Sequence, residues 1–368
     1  MSSNVTATKE KELRVVAIGG GTGLSTLLRG LKRYVVTPER RRGIRLEGAA
    51  ASGPGVGAPA APCPAPRCII RQLSAVVTVT DDGGSSGRLR EDFKMLPPGD
   101  IRNCMVALSE DEHLLSKLFQ YRFEHGDLEG HSFGNLFVAA LSHITGDFAQ
   151  AVQMSSQILA TRGKIFPATN TNVTLAADMD DGSLVRGETN ITASRHSIVE
   201  LRLEPATADP LPETLEAIAN ADLITLGPGS LYTSLITNLL VRGIPEALAT
   251  SKATKVFICN LMTQANESLG LTASQHIEKI MQHAAGARTP IFDYALINTG
   301  SISPARLEQY AREGQEPIMA DLDRVRALGV EPVTGDFVHE GDVLRHDYDL
   351  VAERLVALGL ERAVAVPV

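Results

Sequence analysis

A run of apolar residues leads directly into a glycine-rich turn near the start of the chain, and this succession narrows the available folds. Residues 15–24 read VVAIGGGTGL, and leucines at helical spacing continue from Leu24 to Val35. A buried strand, a glycine turn and a helix form the first half of a βαβ unit. Such a turn lets backbone N–H groups converge on an anion at the positive helix end, or simply makes a tight connection. The spacing matches neither the G-x-G-x-x-G dinucleotide fingerprint nor a Walker loop.

Further strands and helices alternate along the chain, which indicates a parallel α/β sheet. Apolar, β-branched runs predict strands at residues 14–18, 73–80, 222–226, 255–259 and 294–297. Helical spacing predicts helices at residues 101–109, 133–143, 231–240 and 276–283. Residues 172–204 alternate instead between apolar and polar side chains, with Asp181 and Gly182 as a turn signal. We expect a small antiparallel hairpin unit there.

The composition is that of a folded protein, with two segments set apart. The 368 residues are 43% hydrophobic and 21% charged. Residues 1–12 are polar and predict a flexible tail, and residues 13–368 predict a single α/β domain. Residues 38–68 are dominated by Ala, Gly and Pro, so they bury too little apolar area to offset their ordering entropy. We therefore expect a flexible insertion between the first helix and the second strand.

Charge and composition exclude several classes of partner. The formal net charge is −8, Trp is absent and aromatic residues make up 4%, so no nucleic-acid-binding surface is expected. The four cysteines, Cys63, Cys68, Cys104 and Cys259, have no metal-binding spacing, and we expect reduced thiols in a cytoplasmic protein. The polar N-terminus is unlike a signal peptide, and no apolar window is long enough for membrane insertion.

Small and polar residues follow every predicted strand. The first strand ends in GGGTG, the second in DDGGSSGR at residues 81–88, and the third in GPGS at residues 227–230. Asn260 and Asn298 follow the fourth and fifth strands. Because ligands of α/β proteins bind at the carboxyl ends of the parallel strands, we expect these residues to converge on one site. Two glycine loops at that edge suit a diphosphate or two separate phosphate groups.

Several side chains at this edge have both a functional and a purely structural interpretation. Asp81 and Asp82 could hold Mg²⁺ against the phosphates of a ligand, act as a base or accept ribose hydroxyls, or they could form an Asp turn. Ser230 could complete a second anion cradle with the adjacent amides, or cap a helix. Arg102 follows a candidate N-cap, Asp100, so it would face either a bound anion or a carboxylate partner.

The segment GHSFGN at residues 130–135 opens another predicted helix. His131 could carry a proton or donate to a phosphate, or it could be a loop residue in front of a Ser132 cap. Asn135 lies one turn into the helix, where its amide could face the cleft. Residues 345–347 read RHD and place a cation beside an aspartate, which could also be a solvated pair.

Six blocks in this order resemble the CofD-like superfamily, and most closely its bacterial gluconeogenesis-factor branch. They read AIGGGTGLSTLLRGLK, TVTDDGGSSGRLR, LPPGDIRNCMVAL, GHSFGNLFVAAL, LGPGSLYTSLITNLLV and CNLMTQANES, and the RHD at residues 345–347 also matches. The resemblance covers nearly all of residues 13–355. It implies a three-layer, Rossmann-like α/β fold.

The resemblance also implies what the site does. One branch of the superfamily transfers a 2-phospholactyl group from a guanylylated donor to a deazaflavin, with Mg²⁺. The gluconeogenesis-factor branch is similar to proteins that bind UDP-sugars such as UDP-N-acetylglucosamine, and it is linked to cell shape and peptidoglycan supply during growth on gluconeogenic carbon. We rank a nucleotide-sugar-binding regulator first, a transferase using a nucleotide-diphosphate-linked donor second and an NAD-dependent oxidoreductase last. Each could be a homo-oligomer.

Matching the motifs residue by residue implies a set of ligand contacts. The nucleotide and its phosphates would be lined by Gly20, Gly21, Thr22, Gly23, Gly227, Pro228, Gly229, Ser230 and Leu231. The cleft would be ringed by Asp81, Asp82, Ser85, Ser86, Arg88, Arg102, Asn103, His131, Asn135, Asn260 and Arg345. Among these, Asp81, Asp82 and His131 are the catalytic candidates, and Asp81 and Asp82 are the candidate metal ligands.

The chain departs from the family pattern in two places. The family usually runs directly from the first helix into the second strand, so residues 38–68 are an insertion. The usual Met-Thr-Gln-Pro-Gly-Glu-Thr appears as MTQANES at residues 262–268. Without the Pro-Gly pair, the chain lacks the turn that the left-handed backbone of glycine permits. Asn266, at the position of that glycine, also tolerates a left-handed backbone. For that reason Glu267 is not counted among the site residues.

Overall fold

Twelve strands occur in the residues that the computed structural model describes, which are 12–36, 69–110, 114–265, 267–284 and 291–365, without the side chains of 362–365. They are β1 (Leu13–Gly19), β2 (Ile70–Val77), β3 (Lys164–Pro167), β4 (Thr174–Met179), β5 (Leu184–Arg186), β6 (Ile198–Glu204), β7 (Leu223–Leu226), β8 (Thr254–Ile258), β9 (Tyr294–Asn298), β10 (Glu331–Gly335), β11 (Val338–Glu340) and β12 (Leu344–His346). The predicted tail has only Glu12 among the described residues. The predicted insertion at 38–68, with Cys63 and Cys68, lies outside them.

Helices connect most of these strands. They are α1 (Gly21–Lys32), α2 (Gly84–Phe93), α3 (Gly99–Leu108), α4 (Leu114–Gln120), α5 (Phe133–Thr145), α6 (Phe148–Ile158), α7 (Glu188–Ala193), α8 (Pro212–Ala219), a π-helix (Leu231–Ile236) continuing into α9 (Thr237–Leu239), α10 (Ile244–Thr250), α11 (Ala273–His283), α12 (Pro304–Ala311), α13 (Leu322–Ala327) and α14 (Tyr348–Ala365). In the described part of the chain, no helix combines the length and the apolar character needed to cross a membrane.

The central sheet has seven parallel strands in the order β10-β9-β8-β7-β1-β2-β3. Helices cover it, α1 packing against α3 and α14, and α8 packing against α10. The inner strand β1 is apolar throughout its second half, and Val15, Val16, Ala17 and Ile18 are at most 2% exposed. The predicted Rossmann-like α/β fold is therefore confirmed.

The strand order reverses direction between β1 and β7. From β1 the chain moves outward through β2 to β3, and it later returns to β7 on the other side of β1 before moving outward to β10. The loops that leave the carboxyl ends of β1 and β7 are therefore neighbours. Such a reversal opens a crevice between adjacent connections, and ligands of α/β proteins bind there.

Two strands of the central sheet were not predicted, and both lie at its edges. β3 and β10 are the outermost strands, and each contains a proline, Pro167 and Pro332 respectively. Proline cannot donate to the sheet ladder and argues against a central strand, but an edge strand tolerates it. The sequence pattern predicted the five inner strands because their apolar runs are uninterrupted.

The predicted antiparallel unit is present as a three-stranded sheet in the order β5-β4-β6. The turn from β4 to β5 contains Gly182, whose φ of 82° is in the region that glycine favours. A second small sheet pairs β11 with β12 and was not predicted. It matters for the site because β12 carries Arg345 and His346.

Candidate functional site

The loop after β1 touches the loop after β7 and the residue after β2, and these two contacts explain two of the glycines. A Cβ on Gly23 would lie 2.2 Å from the carbonyl oxygen of Pro228, and a Cβ on Gly20 would lie 2.4 Å from Thr78 Cγ2. Both positions must therefore be glycine for reasons of packing alone. Gly21 differs, because its φ is 60° and a Cβ there would meet nothing closer than 3.9 Å. Gly21 therefore borders open space.

That open space is a cavity of about 320 Å³ at the reversal point of the sheet. It is lined by Gly20, Gly21, Thr22, Gly23, Thr26, Pro228, Gly229, Ser230, Ser234, Asn260, Leu261, Met262, Thr263, Gln264, Tyr310, Gln315, Leu344, Arg345 and His346. Arg345 is the one Asp, Glu, Lys or Arg among the described residues of this lining, and its side chain is exposed. The other polar groups are amides and hydroxyls, so the cavity offers hydrogen bonds and one positive charge.

The N-terminus of α1 points its backbone donors toward this cavity. Its N-cap is Gly20, which has no side chain to satisfy them. The Gly21 N–H donates to the carboxylate of Asp100. The next amides, of Thr22 and Gly23, have no intrahelical acceptor because they lie in the first turn. A helix of 12 residues thus presents its positive end to the cavity lining.

The GPGS loop after β7 differs from the expected second anion cradle, because neighbouring side chains occupy its polar groups. The Gly229 N–H donates to Asn260 Oδ1 at 3.2 Å, and Asn260 Nδ2 donates back to the Gly229 carbonyl at 2.7 Å. Gln264 Nε2 donates to Ser230 Oγ at 3.0 Å. Gly227 has a φ of 89°, and Leu231, which starts the π-helix, is buried. The loop therefore shapes the cavity wall and leaves fewer free amides than predicted.

Glu267, which the sequence interpretation did not count among the site residues, holds the start of the π-helix. Its carboxylate accepts from the Tyr232 N–H at 3.1 Å and from Thr233 Oγ1 at 3.0 Å. Burial raises the pKa of Glu267, and these hydrogen bonds partly offset the rise. The departure from the family pattern at residues 265 and 266 suggested an altered loop. Of these two residues, Ala265 is described and Asn266 is not. No spacing in the sequence predicted the hydrogen bonds between Glu267 and the start of the π-helix.

Asp81 and Asp82 follow β2 as predicted, but they bond to different partners. Asp81 Oδ1 accepts from the Gly83 N–H at 3.0 Å, which is the predicted Asp turn. Asp82 Oδ1 accepts from the Thr189 N–H at 2.8 Å and from Thr189 Oγ1 at 2.6 Å, so it caps the first turn of α7. The two carboxylates are therefore engaged separately. Whether either holds Mg²⁺ stays a prediction.

Asp100, on the far side of Gly20, was expected to cap α3 and does not. The N-cap is Pro98, and the Asp100 carboxylate instead meets the N-terminus of α1. Burial and then the nearby Asp81 carboxylate raise the pKa of Asp100 to about 6, against the lowering effects of a hydrogen bond from Gly21 and the charge of Arg102. Glu188 behaves likewise, because burial and then Asp100 and Asp81 raise its pKa well above the usual value. Three carboxylates thus share this edge.

His131 belongs to a buried hydrogen-bond network around Ser85. Ser85 Oγ accepts from Asn135 Nδ2 at 3.1 Å and from the Ser132 N–H at 3.4 Å, and it lies 3.1 Å from His131 Nδ1. With two donors already on its oxygen, Ser85 donates its own hydrogen to Nδ1. Burial, and then Arg88, lower the pKa of His131, so the ring is neutral with its proton on Nε2. Ser132 also caps α5, as predicted, because it accepts from the Asn135 N–H.

Among the described residues Arg102 donates to neutral partners and not to a carboxylate, and whether it also faces a bound anion stays a prediction. Its guanidinium donates to Ser132 Oγ at 2.8 Å and to Asn103 Oδ1 at 2.7 Å, while its buried Nε has no hydrogen-bond partner. Burial lowers the pKa of Arg102, and the charge of Arg122 adds to this effect. Arg88 is exposed and donates to the Glu129 carbonyl at 2.8 Å. The cationic side chain of Arg102 therefore lies near the Asp100 and Asp81 carboxylates at this edge of the sheet.

Ser86 and Arg345 complete the predicted set. Ser86 is buried, and its Oγ would lie 2.4 Å from a Cβ on Gly99, so α2 and α3 approach each other closely there. His346 donates its Nε2–H to the Cys259 carbonyl at 3.1 Å, and burial lowers its pKa to about 4. The neutral ring fixes β12 against the end of β8, which places the adjacent Arg345 at the cavity.

Comparisons with known proteins agree with the fold described above. A family model described as 2-phospho-L-lactate transferase CofD matches residues 15–338. The gluconeogenesis factor of Halalkalibacterium halodurans is 44% identical over 348 residues, covering 94% of this chain and 96% of that protein. The gluconeogenesis factor of Bacillus subtilis is 43% identical over 347 residues, covering 94% and 98%. A crystal structure of a Bacillus halodurans protein, described as a member of the upf0052 family, has a TM-score of 0.82 at 44% identity, covering 94% of this chain and 99% of that one.

Proposed function

Since this chain belongs to the CofD family, we propose that it binds a nucleotide sugar, namely a UDP-sugar, in the cavity at the reversal point of the sheet. The diphosphate lies against the N-terminus of α1, at the amides of Thr22 and Gly23. Arg345 approaches it from β12. The sugar and the base contact the amide and hydroxyl groups of the remaining lining.

The observation that carries this proposal is the distribution of charge in the cavity. A chain with net charge −8 presents there one ionised side chain, Arg345, and the positive end of a helix. Both attract an anion, and the described residues of the lining include no carboxylate; a nearby one, Asp100, lies behind Gly20 and accepts from the Gly21 N–H. Neutral donors and acceptors such as Asn260, Gln264 and Gln315 suit the hydroxyls and amides of a sugar and a base. The volume is near the lower end of the range for small-molecule sites, about 300–1,000 Å³.

Isothermal titration of the protein with UDP-N-acetylglucosamine, GDP and NADH tests the proposal. We expect the UDP-sugar to bind most tightly, and Arg345→Ala to weaken that binding by about 10- to 100-fold, since a charge-assisted hydrogen bond contributes about 1.5–3 kcal/mol. Arg354→Ala, which removes an exposed arginine from α14, is the matched control and should leave the affinity unchanged. Binding of NADH alone, or equal affinities for the wild type and Arg345→Ala, would contradict the proposal.

We further propose that the protein acts in the cytoplasm as a gluconeogenesis factor that maintains the cell envelope and cell shape. The names of its relatives and its two buried free thiols, Cys104 and Cys259, support this role. Deleting the gene should give swollen or lysing cells on gluconeogenic carbon and normal cells on glucose, as seen by light microscopy. Normal cells on both carbon sources would count against the role.

A second candidate function, transfer of a phospho-acyl group from a nucleotide-diphosphate-linked donor, is favoured by the carboxylates beside the cavity. Burial and then Asp81 raise the pKa of Asp100, and burial and then Asp100 and Asp81 raise the pKa of Glu188; a cation at this edge would relieve the repulsion among these carboxylates. Their oxygen atoms are the ligands that Mg²⁺ prefers. The pair Asp81 and Asp100 suits the ion better than the predicted pair Asp81 and Asp82. The reason is that Asp82 Oδ1 already accepts two hydrogen bonds from Thr189. Bound there, Mg²⁺ would neutralise charge on a diphosphate, and His131 would supply a neutral Nε2–H donor.

A further inference from the structure

A second cavity, of about 200 Å³, borders the proposed nucleotide-sugar cavity, and we call it the side cavity. It is lined by residues that follow β8, by the end of β9 and the loop after it, by α12 and by the segment after α12. Asn260 and Leu261 line both cavities. The two cavities therefore meet at the carboxyl edge of the central sheet, where one ligand can extend from the first into the second.

The lining of the side cavity is mostly aliphatic and carries no charge. Its described residues include no Asp, Glu, Lys, Arg or His, whereas the nucleotide-sugar cavity has Arg345 and His346. The apolar side chains that line it are Leu261, Ile297, Ile302, Leu307, Pro317 and Ile318. Placing a charged or unpaired polar group against such a lining is unfavourable, so the side cavity suits an apolar group.

The two asparagines of the side cavity are already engaged in hydrogen bonds. Asn260 exchanges two bonds with the backbone of Gly229. Asn298 Oδ1 accepts from the N–H groups of Phe337 at 2.9 Å and Gly300 at 3.3 Å, and its Nδ2 donates to the Gly300 carbonyl at 3.1 Å. Both lone pairs of Asn298 Oδ1 are thus used, and among the described residues one hydrogen on its Nδ2 is left without an acceptor. The cavity can therefore serve one carbonyl oxygen but not a group with many polar atoms.

We propose that the side cavity binds an apolar acyl group that is joined by an amide to the sugar of the bound nucleotide sugar. This inference rests on the proposed function, because it requires the diphosphate at the N-terminus of α1. The acyl chain then passes Asn260 and Leu261 and contacts the aliphatic lining. The spare hydrogen of Asn298 Nδ2 suits the carbonyl oxygen of the amide. The protein thereby distinguishes acylamino sugars from sugars with a hydroxyl at that position.

The other parts of the ligand suit the first cavity better. A uracil base and a sugar ring present hydrogen-bonding atoms around their edges, and in the side cavity most of these would be desolvated without a partner. The amides and hydroxyls of Thr22, Gln264 and Gln315 in the first cavity can pair with them. The apolar acyl group is the part of an acylamino sugar nucleotide that loses least by entering the side cavity.

The volume of the side cavity indicates that an acetyl group does not fill it. At about 30 Å³ for a group of the size of water, about 200 Å³ holds roughly six such groups, and an acetyl group has two carbons and one oxygen. A longer acyl chain should therefore bind more tightly. Each methylene buried contributes about a fourfold gain in affinity.

Isothermal titration with a series of UDP-sugars that differ only at the sugar nitrogen tests the proposal. We expect UDP-N-acetylglucosamine to bind more tightly than UDP-glucose, and the N-propanoyl and N-butanoyl analogues to gain about fourfold at each step. The heat-capacity change of binding should become more negative along the series, because apolar burial has that signature. The N-succinyl analogue, which ends the chain in a carboxylate, should bind at least about 10-fold more weakly than the N-butanoyl analogue.

Leu307→Trp fills the side cavity from α12 and supplies the matching test on the protein. It should lower the ratio of the affinity for the N-butanoyl analogue to that for UDP-glucose by at least about 10-fold. Leu350→Trp is the matched control, since Leu350 is an exposed leucine on α14 that lines neither cavity, and it should leave the ratio unchanged. Thermal unfolding shows whether both variants fold.

Two results would overturn the inference while leaving the proposed function intact. One is a series in which UDP-glucose and all acylated sugars bind equally, or in which longer chains bind more weakly. The other is an unchanged ratio in Leu307→Trp with all ligands weakened alike, which would assign the side cavity to the base or the sugar ring. Failure of every UDP-sugar, UDP-glucose included, to bind the wild type would instead overturn the proposed function, and this inference with it.

Discussion

Replacing Gly23 with alanine should lower the free energy of unfolding by about 3 kcal/mol and weaken nucleotide-sugar binding. Gly23 lies in the first turn of α1, where alanine would ordinarily stabilise a helix by about 1 kcal/mol relative to glycine. Here a Cβ would lie 2.2 Å from the Pro228 carbonyl oxygen and 2.7 Å from its carbon, and both atoms belong to the backbone. The loops after β1 and β7 must then separate, and the cavity they form is distorted. Denaturant unfolding and titration with UDP-N-acetylglucosamine measure the two effects.

Gly19→Ala is the matched control, four residues earlier, at the end of β1. A Cβ there would meet its nearest neighbour, Leu24 Cβ, at 3.5 Å, which is ordinary van der Waals contact. We expect this variant to bind ligand normally and to change stability by less than about 1 kcal/mol. If Gly23→Ala were as stable and as active as Gly19→Ala, the two loops would not be in the contact described.

Asp100→Asn should stabilise the protein at pH 7.5 by up to about 3 kcal/mol in the absence of divalent cations. The pKa of Asp100 is raised to about 6 in the folded state, first by burial and then by Asp81. A carboxyl whose pKa is raised on folding stabilises the protein below its unfolded pKa of about 4, and this contribution is lost as the pH rises through about 6. Asparagine stays neutral and can still accept from the Gly21 N–H. Between about pH 4 and pH 6, the free energy of unfolding of the variant should therefore depend less on pH than that of the wild type, because the contribution of Asp100 is gone.

Asp323→Asn changes a fully exposed carboxylate on α13 and serves as the control, with an expected effect near zero. If Asp100→Asn were less stable than the wild type at pH 7.5, the carboxylate would contribute a favourable interaction that outweighs its burial. The same variant separates the two candidate functions. It should abolish any Mg²⁺-dependent transfer from a nucleotide-diphosphate-linked donor, while UDP-sugar binding at the amides of α1 remains.

The glycine loop and the alternation of strands and helices were enough to predict the fold. Apolar runs such as residues 14–18 bury both faces of a central strand, and so they are readable without any tertiary information. The edge strands β3 and β10 were missed because proline and short length remove that signal. The pairing of β11 with β12 depends on contacts that are distant in sequence. No local pattern specifies it.

The candidate site was predictable where residues follow strands, and less so where side chains reach across loops. Gly20 to Gly23 and Asn260 meet at one cavity, as the convergence of strand ends implied, and Arg345, which only the family resemblance implied, lines the same cavity. The roles of Asp100, Glu188 and Glu267 were not foreseen, because each carboxylate is defined by a partner on another element. Asp100 follows a turn and is of a residue type that often caps helices, so the sequence indicated a cap of α3. Its side chain instead contacts the N-terminus of the neighbouring helix α1.

A crystal structure of the protein with UDP-N-acetylglucosamine tests the central claim most directly. We expect the diphosphate oxygens within about 3.2 Å of the backbone nitrogens of Thr22 and Gly23, with the Arg345 guanidinium on the same group. Density for the ligand at another cavity, such as the one lined by Arg14, Gln72 and Lys164 at the opposite edge of the sheet, would contradict the account.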